Sequence, residues 1–144
     1  MTHFLKIALV FLVISSCQSI EKDEIIGKWY DEDNDFELWI SDSLTLGYSR
    51  PLDVLYLYKI NVKNNVINFE LLDSDISSNP KYSTKIIELT DNSLTTEYIG
   101  QSLSEKKQVL SLLSKKIPVI HTDFAKNEVY LEEFRKNASG KSIE

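Results

Sequence analysis

The stretch from residue 54 to 63, VLYLYKINVK, sets the strongest limit on the fold. Val54, Tyr56, Tyr58, Ile60 and Val62 fall on alternate positions, and a period of two puts them on one face of a β-strand. Aromatic and β-branched side chains suit such a pleated, half-buried surface. The same alternation recurs on both sides. Phe36, Leu38 and Ile40 share a face opposite Glu37 and Trp39; Leu44, Leu46 and Tyr48 alternate with Thr45 and Gly47; Ile67, Phe69 and Leu71 form another face. Polar turns separate the runs: DEDND at 31–35, SDS at 41–43, RPLD at 50–53, KNNV at 63–66, DSDISSNPK at 73–81 and DNS at 91–93. Asn64 and Asn65 tolerate the positive φ that a tight hairpin demands. Short sequential strands of this kind form a meander, and a meander that closes on itself removes its exposed edges. The expected fold is mainly β: an up-and-down antiparallel β-barrel of about eight strands with a C-terminal α-helix.

The helix is read from HTDFAKNEVYLEEFRKNASG at 121–140. Phe124, Leu131, Phe134 and Ala138 fall near one helical face, Thr122 or Asp123 can cap the start, and Gly140 can end it. The expected span is about 122–138. The preceding segment, SLSEKKQVLSLLSKKIP at 102–118, fits two patterns. Ser102 and Glu105 have the spacing of a capping box, with Leu103, Leu110, Leu113 and Ile117 on a helical face. As a strand it would pair back onto LTTEYI at 94–99 across a loop at Gly100. The strand is preferred because it leaves no unpaired edge.

The N-terminus carries an address. Lys6 precedes the short apolar run Ile7–Ile14, and small residues lead to the one cysteine, Cys17. A run this short cannot cross a bilayer core, which takes about 20 residues, and it reads as a signal peptide. Ile14-Ser15-Ser16-Cys17 resembles the lipobox of bacterial lipoproteins, which implies cleavage before Cys17 and acylation there. QSIEKDE then reads as a flexible tether, and its Lys22-Asp23-Glu24 is similar to surface-export signals of Bacteroidota lipoproteins. The expected organisation is a signal peptide at 1–16, lipidated cysteine and tether at 17–24, and the barrel with its helix at 25–144. With a single cysteine, no intrachain disulfide can form. Net charge is −6, or −7 once Lys6 leaves with the signal. An acidic surface with scattered lysines excludes nucleic acid, which demands a basic face.

Gly27-Lys28-Trp29 opens the first strand directly after the tether. A G-x-W there, with an eight-strand meander and a terminal helix, resembles the lipocalin superfamily. IIGKWY, IIELTDNSLTTEY and the lipobox together look like small lipocalin-like lipoproteins of Bacteroidota. The resemblance covers residues 25 to about 117. It implies that Gly27 and Trp29 plug one end of the barrel. The arginine that packs across that tryptophan in lipocalins has no counterpart here; Lys115 and Lys116 stand at the end of the last strand instead, without a planar guanidinium. It also implies an apolar interior, with Phe36, Leu38, Leu46, Tyr48, Tyr56, Tyr58, Ile67, Phe69 and Tyr98 as candidate lining. An eight-strand barrel either holds one small ligand or is filled by its own side chains. The first case gives a membrane-anchored binding module for a small apolar or amphipathic molecule. The second gives an interaction lipoprotein that binds a partner protein of the envelope. Both place the chain at the bacterial outer membrane.

The chemistry of an enzyme is not found. After signal removal His121 is the one histidine, there is no free cysteine for nucleophilic work, and HExxH, CxxC and glycine-rich phosphate loops do not occur. DEDND reads as solvated carboxylates, not as an acid–base pair with one raised pKa. No cofactor is expected. Asp31, Asp33 and Asp35 have the odd-position spacing of a calcium loop, but position 6 is Phe36 where an EF-hand has glycine, and position 12 is the short Asp42. No helix pattern flanks them, and Phe36, Leu38 and Ile40 already belong to a strand. The stretch is therefore read as a hairpin turn with no metal site. Asp42-Ser43-Leu44 matches a short O-glycosylation pattern of Bacteroidota, a weak signal at three residues. Asn137-Ala138-Ser139 is an N-glycosylation sequon without an expected role in bacterial export.

Overall fold

The computed structural model describes residues 19–72, 80–100 and 107–139. Cys17, Ser102, Leu103, Glu105 and Gly140 lie outside them. Eight strands follow one another: β1 (Gly27–Asp31), β2 (Phe36–Ile40), β3 (Leu44–Ser49), β4 (Val54–Lys63), β5 (Val66–Leu71), β6 (Lys81–Leu89), β7 (Ser93–Tyr98) and β8 (Lys107–Ser114). Each pairs antiparallel with the next, and β8 returns to β1 through Lys28↔Ser114 and Asp31↔Leu110, so the sheet is a closed barrel. The ambiguous segment is thus a strand, paired to β7 from Ser93↔Ser111 to Glu97↔Lys107. The KNNV hairpin turns through Asn64 and Asn65 at φ 52° and 60°, the conformation of a type I′ turn.

Two apolar cores result. The inner one lies within the barrel around Trp29, Leu38, Ile40, Tyr58, Ile67, Phe69, Leu94 and Leu110. The outer one lies between the barrel wall and the C-terminal segment and gathers Trp39, Leu44, Leu46, Tyr48, Leu55, Leu57, Ile120 and Phe134. The outer core corrects two expectations. Leu46 and Tyr48 do not face the interior. Register pairs Thr45 with Ile40 and Tyr58, and Gly47 with Leu38 and Tyr56, so Thr45, Gly47 and Ser49 form the inner face of β3. Gly47 is needed there, because a Cβ would lie 2.7 Å from the Phe36 ring and 2.9 Å from that of Tyr58.

The C-terminal helix also differs in detail. Asp123 caps it, its side chain accepting from the Ala125 amide at 3.2 Å, but Phe124–Tyr130 is 3-10 helix, and α1 begins only at Leu131 and runs to Ser139. Asn127 explains the tight first part. It is fully buried, donates to the carbonyls of His121 and Asp123, and accepts from the His121 amide. Of the expected apolar face, Phe134 is buried and Phe124 is largely exposed, while Tyr130 packs on Trp39 instead.

The N-terminal approach is built into the barrel. Ile20 donates its amide to Asn65 Oδ1 at 2.7 Å and packs on the inner core. Lys22–Ile25 forms one 3-10 turn, and Ile25 is fully buried. The stretch read as a tether thus meets the barrel at Ile20, through Asn65, and at Glu24, whose carbonyl accepts from Lys115.

Candidate binding cavity

Trp29, expected as a plug, is fully buried in the inner core. Its indole N–H donates to the Ile25 carbonyl at 2.7 Å, so the buried polar atom of the plug is satisfied by the chain just before it. Gly27 permits the close approach of β8: a Cβ there would sit 2.9 Å from the Ser114 carbonyl oxygen and 3.0 Å from Leu112. Lys115 reaches across the plug with Nζ 5.3 Å from the centre of the Trp29 ring and donates to the Glu24 carbonyl at 3.0 Å. It combines a cation–π contact with a cap on the 3-10 turn.

Beyond the plug the barrel holds a cavity of about 630 Å³, within the range of small-molecule sites. Its floor is aliphatic, from Ile40, Ile67, Leu94 and Leu110. An aromatic wall rises from β2 and β4–β7. Phe69 and Tyr82 stack at 4.7 Å, Tyr58 meets both edge-on at 5.8 Å, and Phe36 and Tyr56 continue the row. Near the other end the lining turns polar, with Asn34, Ser49, Thr84, Thr96, Tyr98 and Gln108. Seven of the nine residues expected to line the space do so: Phe36, Leu38, Tyr56, Tyr58, Ile67, Phe69 and Tyr98. Leu46 and Tyr48 are the two on the outer face. Tyr82 was missed, although Lys81 and Lys85 mark the opposite face of β6, and a charged face must point outward. Gln108 and Leu110 were less legible, since Val109 and Leu113 make the other face of β8 apolar too.

The tyrosines keep this wall neutral. Burial pushes the Tyr58 hydroxyl up to about 12, and raises Tyr82 further. Tyr98 is raised by burial and by the negative charge of Asp31. That aspartate is a second correction, because the DEDND stretch is not wholly solvated. Asp31 is 1% exposed. One of its oxygens accepts from the Asp33 and Asn34 amides, the bonding of an Asx turn, and the other accepts from the side chains of Asn34 and Gln108. With both oxygens engaged, it is a brace between the first hairpin and β8.

A second buried carboxylate lies on the outside of the barrel. Glu37, fully buried, accepts from Trp39 Nε1 at 2.7 Å, Arg50 Nη2 at 2.9 Å and Asn137 Nδ2 at 3.2 Å. Burial outweighs these donors and holds its carboxyl above the usual glutamate range. This cluster belongs to the docking of α1 and does not reach the cavity. Compared with protein-family models, with curated proteins and with solved structures, the chain finds no match.

Proposed function

We propose that the protein is a lipocalin-like, membrane-anchored binding module for a small apolar or amphipathic molecule. The cavity carries this reading. A barrel filled by its own aromatic bulk would favour the partner-binding alternative, whereas about 630 Å³ of space with an aliphatic floor, aromatic wall and polar end favours a ligand. The anchor is assigned to acyl chains on Cys17, at the outer membrane of a bacterial envelope, on the strength of the lipobox pattern. More than one chain gives stable attachment. Ile20 already contacts Asn65, so only Gln18 and Ser19 separate the acylated residue from that contact in the sequence. The domain on this reading rides close to the lipid surface.

Thr96 gives the sharpest test of the cavity. It is buried on β7 and lines the space. Thr96→Trp is expected to weaken binding of an apolar fluorescent probe at least about tenfold by occupying the ligand's volume, with the β-sheet circular dichroism spectrum retained. Unchanged probe affinity in a folded Thr96→Trp variant would sink the cavity reading. Native mass spectrometry of protein purified from its own host then identifies the natural ligand. The anchor is checked separately with a metabolic fatty-acid label, which is expected on the native chain and lost from Cys17→Ser. Label persisting on that variant overturns the assignment.

A further inference from the structure

We infer that the cavity selects by charge: it takes an uncharged amphiphile with a hydrogen-bonding end, such as a long-chain alcohol, and rejects the carboxylate of the same chain length. This rests on the reading of the barrel as a binding module and adds the class of ligand. Among the described residues, none of the cavity lining is lysine, arginine or histidine. The charged group immediately behind the polar end is Asp31, and its four bonding partners are all neutral amide groups. Among the described residues, the nearby cations are committed elsewhere. Arg50 pairs with Asp35 and Glu37, Lys81 pairs with Glu70, and Lys107 alternates with Gln108 and so faces away from the interior.

A carboxylate entering here would leave water without a counter-charge and meet the field of Asp31. A hydroxyl meets matched groups. Gln108 uses its amide N–H on Asp31 at 2.7 Å, which leaves its carbonyl oxygen as an acceptor on the cavity wall. Tyr98 supplies a hydroxyl beside it, and Asn34, held by the same aspartate, completes the polar end.

The experiment measures displacement of an apolar fluorescent probe from the full mature chain by dodecanol, methyl dodecanoate and dodecanoate at one neutral pH. Dodecanol and the ester are expected to compete, and dodecanoate to be weaker by at least about tenfold, the scale of an uncompensated charge in a low-dielectric site. Gln108→Lys puts a cation beside Asp31 and is expected to narrow that gap. Asp31→Asn removes the charge while keeping an acceptor for the hairpin amides, and is expected to narrow it as well; if it unfolds, Gln108→Lys still decides. Dodecanoate competing as well as dodecanol in the native chain overturns the charge selection and leaves the binding module standing. A gap that persists unchanged in a folded Gln108→Lys variant also overturns it. Failure of the probe and of all three competitors to bind overturns the binding module itself.

Discussion

Phe134→Ala is expected to cost about 3 to 5 kcal/mol of stability, the range for emptying a large aromatic site, and to loosen the outer core before the inner one. Phe134 is fully buried and stacks on Trp39 at 4.1 Å and on Tyr48 at 5.1 Å. No neighbouring side chain can fill the hole, because Leu46, Leu57 and Trp39 are fixed on barrel strands. The polar contacts around α1 cannot replace the ring. Arg135 holds Asp53 at 2.9 and 3.0 Å, but an exposed pair of this kind contributes little. The chain's two tryptophans make the effect readable, since Trp29 reports the inner core and Trp39 the outer. Single-tryptophan versions of Phe134→Ala are expected to show Trp39 open to an added quencher while Trp29 stays protected. A loss of stability under about 1 kcal/mol with Trp39 still shielded would mean that α1 is not held by this stack.

The two-layer arrangement also explains which parts of the fold were legible. Alternation locates the two faces of a strand but does not say which is inside. For β4 and β5 the question answers itself, because Lys59, Lys63, Asn68 and Glu70 mark the outward face. For β3 it misleads. Leu44, Leu46 and Tyr48 are the apolar face, yet they lie outward under α1, while the inner face is Thr45, Gly47 and Ser49. Nothing local marks this inversion; it depends on a helix that begins 82 residues after β3 ends, at Leu131 against Ser49. The Asn64-Asn65 hairpin was legible because its cause is local, the tolerance of asparagine for positive φ. Half of the DEDND turn was legible for the same reason. Its buried half was not, because the Gln108 side chain that holds Asp31 lies 77 residues away. The plug falls between these cases. Gly27 and Trp29 stand two residues apart in a short motif, but the groups they meet, at Ser114 and Lys115, come from the end of β8 and the residue after it.

Glu37→Ala is expected to destabilise the fold by about 3 to 5 kcal/mol at neutral pH, the penalty for breaking a buried ion pair from one side. Three donors converge on Glu37, and each loses its acceptor: the Trp39 indole, one arm of Arg50 and the Asn137 amide. Among the described residues, Arg50 would keep its pair with Asp35 at 2.8 Å and its place over the Tyr30 ring, with its Nε already lacking a partner. Glu37→Gln is expected to cost less, because its oxygen still accepts from Trp39, although its N–H₂ now faces a guanidinium. The glutamine variant also isolates a pH dependence. Burial raises the folded-state pKa of Glu37 above its unfolded value, so the folded chain holds this proton more tightly. Its contribution is complete below the usual glutamate range and is lost as pH rises through the raised value. Asp35, lowered by its bond to Arg50, and Asp53, lowered by Arg135, act in the opposite sense and lose stability as pH falls. Denaturant unfolding of the native chain and of Glu37→Gln across pH 4 to 8 separates the two, since both aspartates remain in each. The difference curve is expected to fall with rising pH, with the native chain losing ground to the variant. A flat difference, or one that rises with pH, would show that the three donors outweigh burial and that Glu37 is held as a fully stabilised ion.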